Sequence, residues 1–403
     1  MIMVMISGEV QSLEPREYMS GTASLTYSYS DLRKSSVFNT NNVLDLSYHN
    51  YLIEVIPTLS YQCAQFGLKG KLYLTYDNYD RLFADTNELY MTINYDNDNA
   101  SVTIGERREV WGNGITWNPA NIMTREVLYD VKRQRNRPLE AQKGRIMIKN
   151  SALITNGSYE MYLLPMLVDT KRDYVEGMDV AAKFNYVFSN VETNVAAIQT
   201  IAGGNRDSRK SDLSLWASYA FPNNITVFLD QLISFHNRFI YPSGENLQEN
   251  TRRQKRISYS TLEGASYRQN ETVVRLECYY NGFGYDSSER RDYLSGLAAN
   301  FRMGKFSDSG KWLDQYEQYL LSRYFVGLSL IKENLIRDLD LQAQIIYGIE
   351  DSSYPLSGFL TYHLNNRFDA TVGLRVDKGA TRDAEFDQQI TTFQLFTGVT
   401  WHF

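Results

Sequence analysis

Apolar and polar residues alternate along most of this chain, as happens when the two faces of a strand meet different surroundings. Near the end, Phe393, Leu395, Val399, Trp401 and Phe403 share one face, and Gln394, Gly398, Thr400 and His402 share the other. In residues 338–349 the outward set is Leu339, Leu341, Ala343, Ile345, Tyr347 and Ile349, and Asp340, Gln342 and Gln344 point the other way. The same period runs through Leu68, Leu72, Leu74 and Tyr76, and through Leu89, Met91, Ile93 and Tyr95. It recurs through Met178, Val180, Ala182, Phe184 and Tyr186, through Leu213, Leu215, Ala217, Tyr219 and Phe221, and through Phe368, Ala370, Val372, Leu374 and Val376. Each run has roughly the 9 to 11 residues that a tilted strand needs to cross a bilayer.

Turn chemistry orders these runs. Asn, Asp, Gly and Pro collect in short turns at 96–99, 155–157, 189–190, 222–224, 269–271, 334–337 and 365–366, where the backbone must reverse. Between them lie longer connections at 31–49, 78–86, 107–142, 168–175, 203–210, 237–255, 283–320, 350–355 and 378–389, so short and long alternate. A soluble sandwich or propeller has no reason to gather its long loops at one rim. The pattern predicts an all-β fold, a transmembrane antiparallel up-and-down β-barrel of about 18 strands, with short periplasmic turns and long extracellular loops. Residues 1–20 are read as a periplasmic N-terminal segment and 21–403 as the single barrel, its first strand beginning near Gly21.

Composition sharpens the picture. Among 403 residues there are 30 Tyr and 19 Phe but only 8 Pro, and the mean hydropathy is −0.41. No apolar run approaches the ~20 residues of a spanning helix, which excludes a helical membrane protein. Tyr27, Tyr29, Tyr61, Tyr76, Tyr95, Phe188, Tyr219, Phe221, Tyr347, Tyr362 and Trp401 sit at or near the ends of outward runs, as aromatic girdles do. Residues 1–7 are apolar but too short for a signal peptide, and they lack a basic n-region. Either an export signal is missing from this chain or the protein is not exported, and the strand pattern favours the first. The net charge of −6 argues against nucleic acid as a partner. Cys63 falls in a turn and Cys278 mid-strand, an arrangement unsuited to a disulfide.

Three stretches carry a family resemblance: residues 104–121 (IGERREVWGNGITWNPAN), 275–285 (RLECYYNGFGY), and the region from Tyr319 through IIYGIEDSSYPLSGFLTYHL to Phe403. From about residue 90 onward the chain resembles porin-like outer-membrane barrels of Gram-negative bacteria, distantly similar to alginate-export-type barrels. The resemblance implies an outer-membrane location and places Trp111, Gly112, Gly114, Trp117, Asn118 and Pro119 at the start of the 107–142 loop. The basic continuation through Lys132, Arg133, Arg135 and Arg137 departs from the family pattern.

No catalytic or metal-binding spacing is present, so the chain reads as a non-enzyme without a cofactor. His49, His236, His363 and His402 are scattered over separate elements. The inward phase carries charge instead: Glu54, Lys69, Lys71, Asp179, Lys183, Glu192, Arg275, Glu277, Asp340, Asp369 and Arg375. Such charges create a transverse field that selects solutes at a constriction, or they pair across strands and solvate the wall. The 107–142 loop is long enough to fold inward, where Lys132, Arg133, Arg135 and Arg137 would form an anion-attracting eyelet walled by Trp111 and Trp117. Alternatively it stays outside and meets lipopolysaccharide phosphates. Candidate pore residues are Lys71, Arg107, Trp111, Trp117, Lys132, Arg133, Arg135, Arg137, Lys183, Arg275, Glu277 and Arg375. The expected partners are outer-membrane lipid, lipopolysaccharide and a small polar or anionic solute. The alternative is a barrel that sheathes a periplasmic or lumen-bound protein such as a multihaem cytochrome.

Overall fold

The computed structural model describes residues 16–34, 36, 45–63, 65–79, 81–96, 99–123, 144–167, 175–203, 211–235, 239–243, 247, 257–303, 312, 321–380, 384–389 and 391–403. Eighteen antiparallel strands form one sheet: β1 (Arg16–Leu32), β2 (His49–Cys63), β3 (Phe66–Asp77), β4 (Leu82–Tyr95), β5 (Ala100–Arg107), β6 (Arg145–Ile154), β7 (Gly157–Leu167), β8 (Val175–Phe188) and β9 (Val191–Gly203) lead into β10 (Ser211–Ala220), β11 (Ile225–Ser234), β12 (Ser258–Gln269), β13 (Thr272–Tyr280), β14 (Tyr324–Ile336), β15 (Leu339–Gly348), β16 (Tyr354–Asn365), β17 (Phe368–Lys378) and β18 (Thr391–His402). Each strand pairs with its sequence neighbours, and β1 pairs with β18 from Thr22↔His402 upward, so the sheet closes on itself. Closure leaves no sheet edge. The single long helix among the described residues, α1 (Ser287–Arg302), lies between β13 and β14.

Alternation fixes which side chain faces where. The outer surface exposes Leu25, Leu59, Leu89, Ile148, Leu276, Leu328, Val372 and Val399, all positions of one phase. A wall of exposed apolar side chains is costly in water and stable against lipid. The short-turn rim is built by residues that accept a left-handed backbone: Asp96, Asn156, Ser189, Asn224, Asn270, Asn334 and Asp338 all have positive φ. Asn and Asp tolerate that conformation better than other non-glycine residues. Strand β1 starts at Arg16 rather than at Gly21. Strand β4 starts at Leu82, inside the expected 78–86 connection, because its pairing with β3 shifts register between Lys71 and Leu72. That bulge makes Asn87 an extra residue, and its carbonyl takes the Gly144 amide hydrogen. Cys63 ends β2 beside the turn, Cys278 lies exposed in β13, and both are free.

Buried lumen-phase side chains are densest on the sector β6–β14, although Glu54, Tyr73, Asp377 and Gln394 on β2, β3, β17 and β18 are buried too. On β6–β14 the lumen-phase residues Met147, Tyr162, Asp179, Ser214, Leu262 and Phe325 are buried. On β15–β18 and β1 the lumen-phase residues nearer the short-turn rim, among them Gln342, Thr361, Thr371, Thr400, Ser24 and Thr26, remain wholly or partly accessible. At the long-loop rim, aromatic residues of two connections pack together: Phe239 and Tyr241 after β11, and Phe283, Tyr285 and Tyr293 after β13. Tyr241 donates to the Phe283 carbonyl at 2.7 Å, and Tyr285 to that of Ile240 at 2.5 Å. Glu385, on a 3-10 turn before β18, accepts the amide hydrogens of Leu321 (2.6 Å) and Ser322 (2.8 Å), while its own amide donates to Asp351 at 2.7 Å. Arg290 of α1 stands 3.6 Å from Asp351 and donates to Ser322 at 2.6 Å. Three connections are thereby clasped around buried charge.

Candidate constriction site

What fills the buried sector is the chain itself. After Arg107 ends β5, residues 108–123 turn into the lumen and lie against its wall. Their polar main chain must find partners there, because a buried amide without one costs on the order of 1–3 kcal/mol. The Arg108 amide donates to Glu88 of β4 at 3.4 Å, and Glu109 then meets Lys149 of β6 at 3.1 Å. Trp111 follows, buried between Tyr162 of β7 and Trp216 of β10, with ring centroids 5.6 and 6.1 Å away. Gly112 then turns with φ +96°, and a Cβ there would meet Asn118 Oδ1 at 2.3 Å and Asp230 Oδ2 at 2.8 Å. Only glycine fits so close an approach at that backbone angle.

Two wall carboxylates hold the next four residues. Asp230 of β11 accepts the amide hydrogens of Asn113 (2.6 Å) and Gly114 (2.9 Å) and the Asn113 side-chain amide (2.8 Å). Glu277 of β13 accepts those of Ile115 (3.0 Å) and Thr116 (2.9 Å). Arg275 completes the clamp: its Nε donates to Glu277 at 2.7 Å, an Nη donates to the Asn113 carbonyl, and its guanidinium lies 4.0 Å from the centre of the Phe228 ring. Hydrogen bonds to ionised acceptors are the stronger kind, so a segment without secondary structure is fixed in place. Trp117 ends the run, stacked on Tyr279 (5.3 Å, 18°) and beside Phe325 (5.7 Å). Gly327 opposite leaves room, since a Cβ there would stand 3.0 Å from the indole. Thr116 accepts from Gln344 of β15 at 3.0 Å, and Ser214 donates to the Ala120 carbonyl at 2.9 Å.

The predicted charges lie on the lumen face, and most of them are paired. Lys149 bridges Glu109 and Glu160 at 3.1 Å each; Lys183 reaches Glu160 at 3.5 Å and lies 5.9 Å from the centre of the Trp216 ring. Arg107 pairs with Glu109 at 3.2 Å, Arg145 with Asp179 at 2.8 Å, and Lys69 with Glu88 at 3.4 Å. Lys71, on the same face of β3, makes no ion pair among the described residues. The wall therefore carries alternating charge rather than a block of one sign.

Of the twelve candidates, Trp111, Trp117, Arg275 and Glu277 meet at the inward segment, and Arg107 and Lys183 join it through the Glu109–Lys149–Glu160 network. Lys71 and Arg375 do not: Arg375 is on β17, paired with Asp377 at 3.0 Å. Lys132, Arg133, Arg135 and Arg137, like His236, lie outside the described residues. The tryptophans correct one expectation. Trp111 and Trp117 are 1% and 6% exposed, so they anchor the segment to the wall and do not line open passage. Sequence reasoning missed Asp230, Lys149, Glu109, Glu160 and Tyr279. The available signal for Asp230 was its polar, inward phase between Phe228 and Leu232.

No protein-family model matches the chain, and no curated protein matches it either. Solved structures do match in fold. The glucuronate complex of Pseudomonas aeruginosa OccK2 (OpdF) superposes with a TM-score of 0.57 at 11% identity, over 96% of this chain and 97% of that one. P. aeruginosa OccK5 (OpdH) gives 0.58 at 9% identity over 96% and 98%, and OccK11 (OpdR) 0.51 at 8% over 96% and 95%. The expected similarity to alginate-export-type barrels is not shown by these matches. At such identities the likeness establishes the fold that the pairing register describes independently: a closed, eighteen-stranded antiparallel barrel similar to that of the OccK proteins.

Proposed function

We propose that the chain is an outer-membrane, porin-like channel passing small polar or anionic solutes along the accessible side of its lumen. The observation that carries this reading is the inward segment: residues 113–116 are pinned to Asp230 and Glu277, which narrows the barrel on one side, while the opposite face is polar apart from Phe359 and Phe396. A barrel of this size leaves an aqueous channel unless something fills it, and a loop laid on the wall narrows the channel without plugging it. The apolar outer wall supports a lipid setting, with lipopolysaccharide meeting the long-loop rim. Glucuronate in the OccK2 complex is a small hydroxylated anion of the class proposed here. A sheath for a second protein would need the sector that residues 109–117 already occupy.

The test is planar-bilayer conductance of refolded protein in a KCl gradient. Stable unitary steps, enlarged in D230A/E277A, support a channel narrowed by this segment. Insertion without conductance sinks it.

A further inference from the structure

Four consecutive strands each place one ionisable residue on the lumen face at the short-turn rim: Asp340 on β15, His363 on β16, Asp369 on β17 and His402 on β18. They form a continuous row. Nδ1 of His363 is 2.7 Å from Asp369 Oδ1 and its Nε2 3.0 Å from Asp340 Oδ2; Nε2 of His402 is 2.7 Å from Asp369 Oδ2. The row lies at one end of the accessible side, and both imidazoles remain open to solvent, at 41% and 44% side-chain exposure.

Hydrogen-bond bookkeeping fixes the charges. A neutral imidazole has one N–H and can satisfy one carboxylate, so His363 satisfies both of its partners only as imidazolium. His402 faces a single carboxylate and satisfies it in the neutral form, by donating from Nε2. With His402 neutral, two carboxylates and one imidazolium leave the row at one negative charge; with His402 protonated it is neutral. The other charged groups on the surrounding elements are Lys332 and Glu333 at the end of β14, Arg337 and Asp338 paired at 3.4 Å on the β14–β15 turn, and Arg367 on the β16–β17 turn. Lys332 reaches Glu271 at 3.5 Å. On the β1 side Thr22 stands opposite His402, and the carboxylate of Phe403, the residue after His402, takes the Gly21 amide hydrogen. None of these lies within the row's hydrogen bonds.

We infer that this His–Asp row is a selectivity determinant at the periplasmic mouth, favouring cations when His402 is neutral and losing that preference when it is protonated. The inference rests on the channel reading above. It assigns selectivity to a place distant from the inward segment.

The experiment measures reversal potential in a KCl gradient at about pH 8 and about pH 5, the span over which histidine changes charge. The potassium-to-chloride permeability ratio is expected to fall about twofold on acidification, the combined effect on the cation and the anion of one unit charge about 8 Å away, screened by about 0.1 M salt. H402Q should hold the ratio near its alkaline value at both pH values. D340N/D369N, which removes both carboxylates, should lower the ratio at pH 8, and a gel-mobility shift on heating checks that each variant folds. A conducting barrel whose ratio is flat in pH, or falls equally in H402Q, overturns the row alone. A barrel silent at every pH overturns the channel reading itself.

Discussion

Glu277 grips two consecutive amides, those of Ile115 and Thr116, one with each carboxylate oxygen, at 3.0 and 2.9 Å. A wall residue thus replaces the hydrogen bonds that secondary structure would otherwise give the segment. Removing the carboxylate frees both donors and leaves Arg275 without its ion pair. E277A is therefore expected to release residues 113–117, at about 1.5–3 kcal/mol for each charged hydrogen bond. Larger and noisier unitary currents, with faster amide exchange at 115 and 116, are the expected readout; currents indistinguishable from wild type would contradict it.

Trp117 holds the other end of the segment by stacking on Tyr279. Such aromatic pairs contribute about 0.5–1.5 kcal/mol beyond burial. W117A should raise conductance less than D230A/E277A does, while W117F should stay close to wild type. Equal effects of W117A and W117F would show that the ring contact does not matter.

At the opposite rim the clasp should respond to pH. Burial, with the charge of Asp351 nearby, pushes the Glu385 carboxyl up to about 7. A carboxyl whose value is raised in the clasped state favours that state fully below the ordinary carboxyl range, and the advantage is lost as pH rises through about 7. Hydrogen exchange at Leu321 and Ser322 should therefore accelerate between about pH 6 and about pH 8, the far side of neutrality for such a group. E385Q, which cannot ionise, should flatten that dependence.

The outer wall makes a separate demand. Val372 faces outward in the middle of β17, and Thr371 beside it faces the lumen, 3.2 Å from Thr361. V372R should cost about 2–4 kcal/mol in denaturant titrations of vesicle-folded protein, a depth-dependent penalty that T371K should largely escape. Equal losses would show that the register is wrong.

Strand number and phase were legible because every second residue faces lipid, and a period of two survives the loss of all tertiary information. Leu339 through Ile349 and Phe368 through Val376 needed no partner to be read. The start of β4 was hidden, since one extra residue at Asn87 reverses the phase and makes a strand look like a loop. The site was legible only in part. Trp111 and Trp117 stand out by residue type, and Arg275 and Glu277 by inward charge. Their attachment to main-chain amides could not be read, because backbone donors are the same in every residue and only folding says which carboxylate they meet. Asp230 shows this best: a single acid in an alternating strand, distinguished by nothing except the segment that arrives from more than a hundred positions earlier.

The seam between β1 and β18 joins Thr22 to His402 and Asp31 to Phe393. Every other pairing joins strands that follow one another in the sequence, but this one waits until the first and last strands have both entered the sheet. Until then the growing sheet has two raw margins, each a template for joining a stranger. Successful assembly therefore depends on keeping those margins apart from other chains until the two ends of the sequence find each other.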